Sequence, residues 1–136
     1  MNRSEDEAAE KPSMELWTFG YKYGAIEANL VVDVRFLPNP YYVPSLCHMT
    51  GKDADCAAYV LKDEESRAFL DALIELVLRM EASFRAQGRK SLKVAVGCTG
   101  GQHRSVAVAE ALAASLREKG FTLEVIHQEL KRARSA

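Results

Sequence analysis

One short segment of the 136-residue chain holds most of the residues that could do chemistry. From Cys98 to Ser105 it reads C-T-G-G-Q-H-R-S, and it contains a thiol, two adjacent glycines, an imidazole and a guanidinium. Glycines let successive backbone N–H groups turn towards one point and form an anion-binding nest. A helix that begins directly after them presents its positive end to the same point. The segment therefore predicts a phosphate-binding loop.

Side chains of the same segment can complete such a site. The arginine offers a planar, bidentate fork for a phosphate, and the two hydroxyl residues and the histidine offer further hydrogen bonds. An alternative is a glycine-rich turn that only tightens strand–helix packing, which explains the glycines but not the His-Arg-Ser cluster. We therefore predict that the ligand is held by Thr99, Gly100, Gly101, His103, Arg104 and Ser105.

The spacing also admits a catalytic alternative. A cysteine, five residues, an arginine and then a hydroxyl residue is the spacing of the cysteine phosphatases, in which Cys98 would be the nucleophile and Arg104 would bind the phosphate. The histidine that usually precedes that cysteine is replaced by Gly97. The general acid would have to be Asp53 or Asp55, which nothing else singles out. We therefore predict binding without catalysis, with the phosphatase as the alternative.

The elements around the loop predict a single α/β domain. Aromatic and β-branched runs indicate strands at residues 16–24, 29–37, 91–98 and 121–127. Apolar residues at helical spacing indicate helices at 58–87 and 102–119. Strands that alternate with helices are typical of a three-layer α/β domain, with a small parallel or mixed sheet flanked by helices. The uninterrupted apolar run at 30–32 predicts a second strand that is buried on both faces.

Two segments are predicted to be irregular. Residues 38–55 contain three prolines, which exclude regular structure, so we expect a long loop that is either functional or mobile. Residues 1–13 are rich in charge and alanine, and we expect a disordered leader before a domain at 14–136. Residues 128–136 read as a basic tail.

Composition narrows the possible functions. The net charge is −1, so nucleic-acid binding would need a local basic patch. Three cysteines without a CxxC pair indicate neither a zinc site nor a disulfide framework, which favours a reducing cytoplasm. No apolar run approaches the roughly 20 residues of a membrane span, and the acidic N-terminus differs from a signal peptide. We expect no metal and no cofactor.

Four segments resemble a known family. "FGYKYG", "DVRFLPNPYYVP", "MTGKD" and "VAVGCTGGQHRSVAVAE" look like the C-terminal domain of the RapZ/YvcJ family, which are bacterial RNase adapter or nucleotide-binding proteins. The resemblance covers residues 18–132, and "DVRFLPNP" with "GCTGGxHRS" is a specific combination. Family members carry an N-terminal P-loop ATPase domain, but this chain contains no G-x-x-x-x-G-K-[ST] stretch. We therefore expect the C-terminal module alone, as a standalone protein or a separate relative.

The resemblance implies a fold akin to the sugar-phosphate-binding part of phosphofructokinases. It also implies an amino-sugar phosphate ligand such as glucosamine-6-phosphate, with Asp33 facing the amino sugar. A carboxylate at the end of an apolar strand should lie at the mouth of a site, paired with Arg35, Arg104 or a ligand amine; the alternative is an aspartate that caps a turn. The position after "LPNP" is often histidine in the family and is Tyr41 here, which we assign to the ligand site.

Basic residues predict a second kind of partner. Lys131, Arg132 and Arg134 are predicted to contact RNA, mainly because the related domains use basic residues near the C-terminus. A second basic cluster lies between residues 85 and 90. No recognised RNA-binding signature is present, and three cations in a tail are also typical of solvated surface. The expected partners are thus a phosphorylated small molecule, RNA, a P-loop ATPase partner or a second copy of the chain, and no membrane.

Overall fold

The sheet of the protein has four parallel strands. A computed structural model describes residues 10–135, and it describes side chains as far as residue 131. Within this part of the chain the strands are β1 (Ser13–Gly20), β2 (Leu30–Asp33), β3 (Ser91–Cys98) and β4 (Leu123–His127). They pair in the order β2-β3-β1-β4. The predicted α/β class is confirmed, and of the two predicted sheet types the parallel one is found.

The described helices are α1 (Ala54–Val60), α2 (Glu64–Ala86), α3 (Arg104–Glu118) and α4 (Gln128–Ser135). The single long helix predicted at 58–87 is therefore two helices. Asp63, directly before the second helix, has an extended backbone (ψ 152°) that separates the two. Helix α2 ends as predicted before Gly88, whose φ of 71° suits glycine. The basic tail predicted at 128–136 is instead a helix, α4, that packs on β1.

The ends of two strands differ from their predicted positions. Strand β1 begins at Ser13, the last residue of the predicted leader, and residues 1–9 of that leader lie outside the described residues. It ends at Gly20, and a single 3₁₀ turn occupies Tyr21–Tyr23. The prediction that β2 is buried on both faces is wrong. Val31 is 42% exposed because β2 is the edge strand and its outer face is uncovered.

The hydrophobic core holds the strand ends in place. Leu16 and Val94 of the sheet are fully buried together with Val77 of α2 and Leu112 of α3. Each such side chain contributes roughly 1.5–3 kcal/mol by burial. The parallel register sets Gly20 beside Cys98 and Asp33 beside Gly97, so three strands end along one edge of the sheet. Within the described residues, no helix is both long and apolar enough to cross a membrane.

Candidate functional site

A cleft of about 330 Å³ opens beside the carboxyl ends of the strands, where open α/β sheets bind ligands. One wall is residues 98–105 between β3 and α3, the segment that the sequence predicts to be a phosphate-binding loop and that we call the phosphate loop. The other wall is the proline-rich loop, residues 38–53, which contains one 3₁₀ turn (Pro40–Tyr42) and ends where α1 begins, two residues before its predicted end. Lys22 lies between the two walls. The remaining lining residues are Cys98, Thr99, Gly100, Gln102, His103 and Arg104 from the first wall and Asn39, Tyr41 and Tyr42 from the second.

The two adjacent glycines of the phosphate loop have different roles. Gly101 has a φ of 72°, and a Cβ there would lie 2.7 Å from the backbone nitrogen of Gly20. A Cβ on Gly100 would have no neighbour within 4 Å, and Gly100 lines the cleft. Close packing therefore explains Gly101, as expected for a turn that only tightens the packing of strand and helix. Gly100 has free space around its Cβ position at the wall of the cleft.

A buried glutamate supports the phosphate loop from behind. Glu129, in the first turn of α4, is 2% exposed, and its carboxylate accepts the backbone N–H of Gly20 at 3.0 Å. Its Cγ also packs against Gly101. On the same side, the backbone N–H of Lys22 donates to the carbonyl of Thr99 at 3.2 Å. The phosphate loop is thus fixed to the end of β1 through backbone groups.

Arg104 is the buried cation of the cleft. It is 6% exposed, and its Nη1 donates to the carbonyl of Arg35 at 2.5 Å, while its Nη2 lies 3.4 Å from Oγ1 of Thr99. Its Nε is buried without a hydrogen-bond partner. No carboxylate of the described residues forms a salt bridge with it. An unsatisfied buried donor costs about 1–3 kcal/mol, which an anion bound beside Arg104 would recover.

His103 joins the two walls of the cleft. Its Nε2 donates to the carbonyl of Cys47 at 3.1 Å, since a carbonyl can only accept. The imidazole is 9% exposed and lies directly before the first turn of α3. The backbone N–H of Gly51 adds a second link, because it donates to the carbonyl of Gln102 at 2.9 Å. The proline-rich loop is therefore attached to the phosphate loop at two points.

The first and last residues of the phosphate loop, Cys98 and Ser105, are buried. Ser105 is fully buried and does not line the cleft; its Oγ accepts a hydrogen bond from Sγ of Cys98 at 3.2 Å. Cys98 is 2% exposed at the floor of the cleft. Neither of the two aspartates considered as general acids lines the cleft, and Asp53 accepts the backbone N–H of Thr50 at 2.8 Å at the start of α1. The thiol therefore lies at the cleft, whereas neither aspartate considered as its general acid lines it.

Asp33 and Arg35 form a chelated ion pair at the end of β2. Arg35 Nη2 lies 2.6 Å from one carboxylate oxygen of Asp33, and Nε lies 2.9 Å from the other. The same guanidinium stacks on the ring of Tyr21, 3.9 Å from its centre. Hydrogen bonding to Arg35, assisted by the charge of Arg104, lowers the pKa of Asp33. Asp33 thus has one of the three partners that the sequence suggested, and it also accepts the backbone N–H of Arg35 at 2.9 Å, as the turn-capping alternative expects. It does not line the cleft.

The sequence of this chain matches a family profile over nearly all of the described residues. Residues 12–131 match the RapZ C-terminal domain. The chain belongs to the RapZ C-terminal domain family. The predicted resemblance is therefore confirmed.

Several curated relatives of this RapZ C-terminal domain carry the name nucleotide-binding protein. A protein of Streptomyces coelicolor is 47% identical over 116 residues, and one of Bacillus licheniformis is 46% identical over 121 residues. One of Limosilactobacillus reuteri is 42% identical over 122 residues. These alignments cover 85%, 88% and 89% of this chain but 39%, 41% and 42% of the relatives. The chain thus spans about two fifths of the length of the relatives it matches.

Four lining residues of the RapZ C-terminal domain were not predicted from the sequence. They are Lys22, Asn39, Tyr42 and Gln102. Lys22 lies between two tyrosines directly after β1. A charged residue in such a position at the end of a strand could have identified it as a site residue. Asn39 accepts the backbone N–H of Tyr41 at 3.2 Å, which shapes the proline-rich loop. Tyr41, which was predicted, lines the cleft with 64% of its surface exposed.

The predicted RNA-binding residues lie on α4, and Lys131 is not among the residues that line the cleft. Lys131 is exposed on that helix. The side chains of Arg132 and Arg134 lie outside the described residues. The second basic cluster lines another cleft, of about 430 Å³, near the start of β1. The RapZ C-terminal domain therefore has its basic cluster and its phosphate loop at opposite ends of the parallel sheet.

Proposed function

We propose that this RapZ C-terminal domain binds a phosphorylated small molecule in the cleft and does not turn it over. The observation that carries the proposal is the buried guanidinium of Arg104, which has no salt bridge to a described carboxylate and has one unsatisfied donor at the start of α3. A phosphate beside it would accept these hydrogen bonds and those of the backbone N–H groups at the start of the helix. The relatives' name refers to phosphorylated ligands too, although those proteins are more than twice as long.

We propose further that the ligand is an amino-sugar phosphate such as glucosamine-6-phosphate. The carboxylate of Asp33 at the neighbouring strand end would accept the amino group. The rings of Tyr41 and Tyr42, which meet edge to face with centres 5.2 Å apart, would pack against the sugar. We extend the proposal to a cytoplasmic location, because the three cysteines are free thiols in the structure.

Calorimetry of the full chain with glucosamine-6-phosphate and with inorganic phosphate tests this function. Arg104→Ala should weaken binding of the sugar phosphate by about 1.5–3 kcal/mol, the range for a hydrogen bond to a charged group. Arg104→Lys should recover part of this, because the charge stays but the fork is lost. Arg79→Ala is the matched control, since Arg79 is exposed on α2. Equal affinities of wild type and Arg104→Ala would remove Arg104 from the site.

The phosphatase alternative is separated by turnover. The wild type should release no phosphate from an aryl phosphate above the blank rate, and Cys98→Ser should bind the sugar phosphate almost as the wild type does. The serine keeps a hydrogen bond to Ser105 and removes the nucleophilic thiol. Hydrolysis that is lost in Cys98→Ser would instead establish Cys98 as the nucleophile of an enzyme.

RNA is the second proposed ligand, and the basic cleft near the start of β1 favours it. Lys11, Arg85, Arg89 and Lys90 line this cleft, and Arg89 lies on the ring of Phe84 at 3.8 Å without a carboxylate partner among the described residues. Such cations bind phosphodiesters in a salt-dependent and mostly sequence-independent way.

Gel shifts at several salt concentrations test the RNA proposal. Arg89→Glu with Lys90→Glu should weaken single-stranded RNA binding if this cleft is used, and Arg132→Gln with Arg134→Gln should do so if the C-terminal basic residues are used. Three cations of the C-terminal helix alone give a log–log salt slope no steeper than about −2. The absence of any shift at low salt and micromolar protein would exclude RNA as a ligand of this chain.

A P-loop ATPase partner or a second copy of the chain completes the proposed partners. The edge strand β2 favours such contacts, because Val31 and Phe36 near it are 42% and 65% exposed. If the protein is a monomer, Val31→Lys should leave its sedimentation coefficient unchanged. If the protein assembles through this edge, Val31→Lys should dissociate the assembly. An assembly that is unaffected by Val31→Lys would use another surface.

A further inference from the structure

The basic cleft near the start of β1 is lined by four cations, Lys11, Arg85, Arg89 and Lys90. Two of them have carboxylate partners: Nη2 of Arg85 lies 3.4 Å from Oε1 of the buried Glu81, and Nζ of Lys90 lies 3.5 Å from Oε2 of Glu10. The cationic groups of Lys11 and Arg89 lie 4.8 Å and 3.8 Å from the centres of aromatic rings. Neither of these two forms a salt bridge with a described carboxylate. The basic cleft therefore presents positive charge that the described part of the chain does not pair.

The contact between Glu10 and Lys90 shows where the acidic residues before β1 lie relative to this cleft. Glu10 is the first described residue, and it lines the basic cleft itself. Its side chain and that of Lys90 are 83% and 84% exposed, so the pair stabilises the fold only weakly. The residues before Glu10 are nevertheless tethered directly beside the four cations.

The segment before Glu10 is acidic and short. Glu5, Asp6 and Glu7 are consecutive, and Arg3 is the one cation among residues 1–9. A residue spans at most about 3.6 Å, so Glu7 stays within roughly 11 Å of Glu10 and Glu5 within roughly 18 Å. A tether of this length keeps the three acids at an effective concentration of about millimolar or higher at the cleft. Charge and chain length thus favour this segment over any free anion at a lower concentration.

We propose that the basic cleft is a docking site for the acidic segment Glu5–Glu7 of the same chain, which competes there with external polyanions. Its carboxylates pair with the cations that lack a described partner, Lys11 and Arg89, and a phosphate-bearing polyanion must displace them. The family profile matches only from residue 12, so the competitor belongs to the part of this chain outside the shared domain. The inference rests on the proposed RNA binding only where RNA is the displacing polyanion.

A variant that keeps the length of the chain tests the contact itself. In this neutralised variant, Glu5→Gln, Asp6→Asn and Glu7→Gln remove the three charges. The backbone amide signals of Gly88 and Arg89 in nitrogen-15 NMR spectra should move relative to the wild type. Raising the salt concentration from about 0.02 M to about 1 M should produce the same movement in the wild type, because exposed charges are then screened within about 3 Å. The salt arm needs no substitution.

A control variant separates the local contact from the net charge. Glu65→Gln, Asp71→Asn and Glu118→Gln remove three charges at exposed positions of α2 and α3. The net charge changes as in the neutralised variant, but no acid beside the basic cleft is lost. The amide signals of Gly88 and Arg89 should therefore stay at their wild-type positions.

Titration with inorganic tripolyphosphate tests the competition. At low salt, followed at the amide of Gly88, the neutralised variant should bind it about three- to tenfold more tightly than the wild type, since two or three exposed ion pairs no longer have to break. The control variant should bind as the wild type does, and the difference should vanish at high salt. Gel shifts with single-stranded RNA should rank the three proteins in the same order.

The outcomes separate this inference from the proposed RNA binding. Amide signals that are the same in the wild type and the neutralised variant overturn the inference, because the acidic segment then does not occupy the basic cleft. An equal gain of affinity in the neutralised and control variants overturns it as well, since net charge alone then acts. If the neutralised variant does not bind tripolyphosphate at Gly88, the competition is overturned. If it gains affinity for tripolyphosphate but does not shift RNA, the inference stands and the RNA proposal fails.

Discussion

The two walls of the cleft are built in opposite ways. The phosphate loop is buried except around Thr99, Gly100 and Gln102, with Arg104 6% exposed and Gly101 packed between β1 and α4. The proline-rich loop presents exposed rings, and Tyr42 is 78% exposed. A rigid wall suits a group of constant shape such as phosphate, whereas an exposed wall can change its side chains without loss of stability. We therefore expect the phosphate loop to determine the affinity for an anion and the proline-rich loop to select the rest of the ligand.

The largest effect on the rigid wall is expected from Gly101→Ala. The alanine would need a left-handed backbone, and its Cβ would collide with Gly20, so the free energy of unfolding should fall by about 2–4 kcal/mol. Gly88→Ala is the control, since Gly88 has a similar φ of 71° but no neighbour within 4 Å of its Cβ position. Denaturant unfolding measures both variants. An equal loss of unfolding free energy in both variants would mean that the left-handed backbone alone causes the loss and that the contact of the new Cβ with Gly20 contributes nothing.

Removal of the support behind the phosphate loop should have the next largest effect. Glu129→Ala leaves the N–H of Gly20 without its acceptor, which should cost about 1–3 kcal/mol, and it should also weaken phosphate binding. Glu124→Ala, at an exposed position of β4, is the control. Unfolding curves and phosphate titrations of the same samples give the two values. A stable variant with normal phosphate affinity would show that α4 does not support the site.

Acid should destabilise the fold through His127, the last residue of β4. Burial lowers the pKa of this imidazole below 6.5; among the groups facing it, Glu110 raises the pKa and Lys52 lowers it, and Thr18 lies 2.9 Å from Nδ1. The unfolded chain therefore binds a proton before the folded one does, and stability should fall as the pH decreases from 6.5 towards the folded pKa. His127→Asn should flatten this part of the profile of unfolding free energy against pH. An unchanged profile in the variant would assign the dependence to another group.

The smallest effect on stability is expected at the exposed wall. Tyr41→Ala should change the free energy of unfolding by less than about 0.5 kcal/mol, as usual for an exposed position. It should weaken glucosamine-6-phosphate binding by about 0.5–1.5 kcal/mol, the value of an aromatic contact, and leave inorganic phosphate unaffected. Calorimetry with both ligands checks this. Equal losses for the two ligands would contradict the division of roles between the walls.

Local patterns predicted the four strands, the helices α2 and α3 and the glycine turn between β3 and α3, because these signals lie within a few residues of one another. They did not predict the break between α1 and α2 or the helix α4. The glycine pair, Arg104 and the strand before them form one continuous segment. The roles of Glu129 and Lys22 were not predicted, because each depends on pairing with a distant part of the chain: 109 residues separate Glu129 from Gly20. The exposure of Val31 likewise depends on the strand order, which no local pattern contains.

The central position of β1 has a consequence for how the chain folds. This strand pairs with β3 and β4, so the first strand of the domain has both of its neighbours in the second half of the described residues. Contacts between such distant segments slow folding, since a long loop must close before they form. We therefore expect β1 to remain unpaired during most of synthesis and the cleft to be the last part to assemble, when Glu129 closes over Gly20.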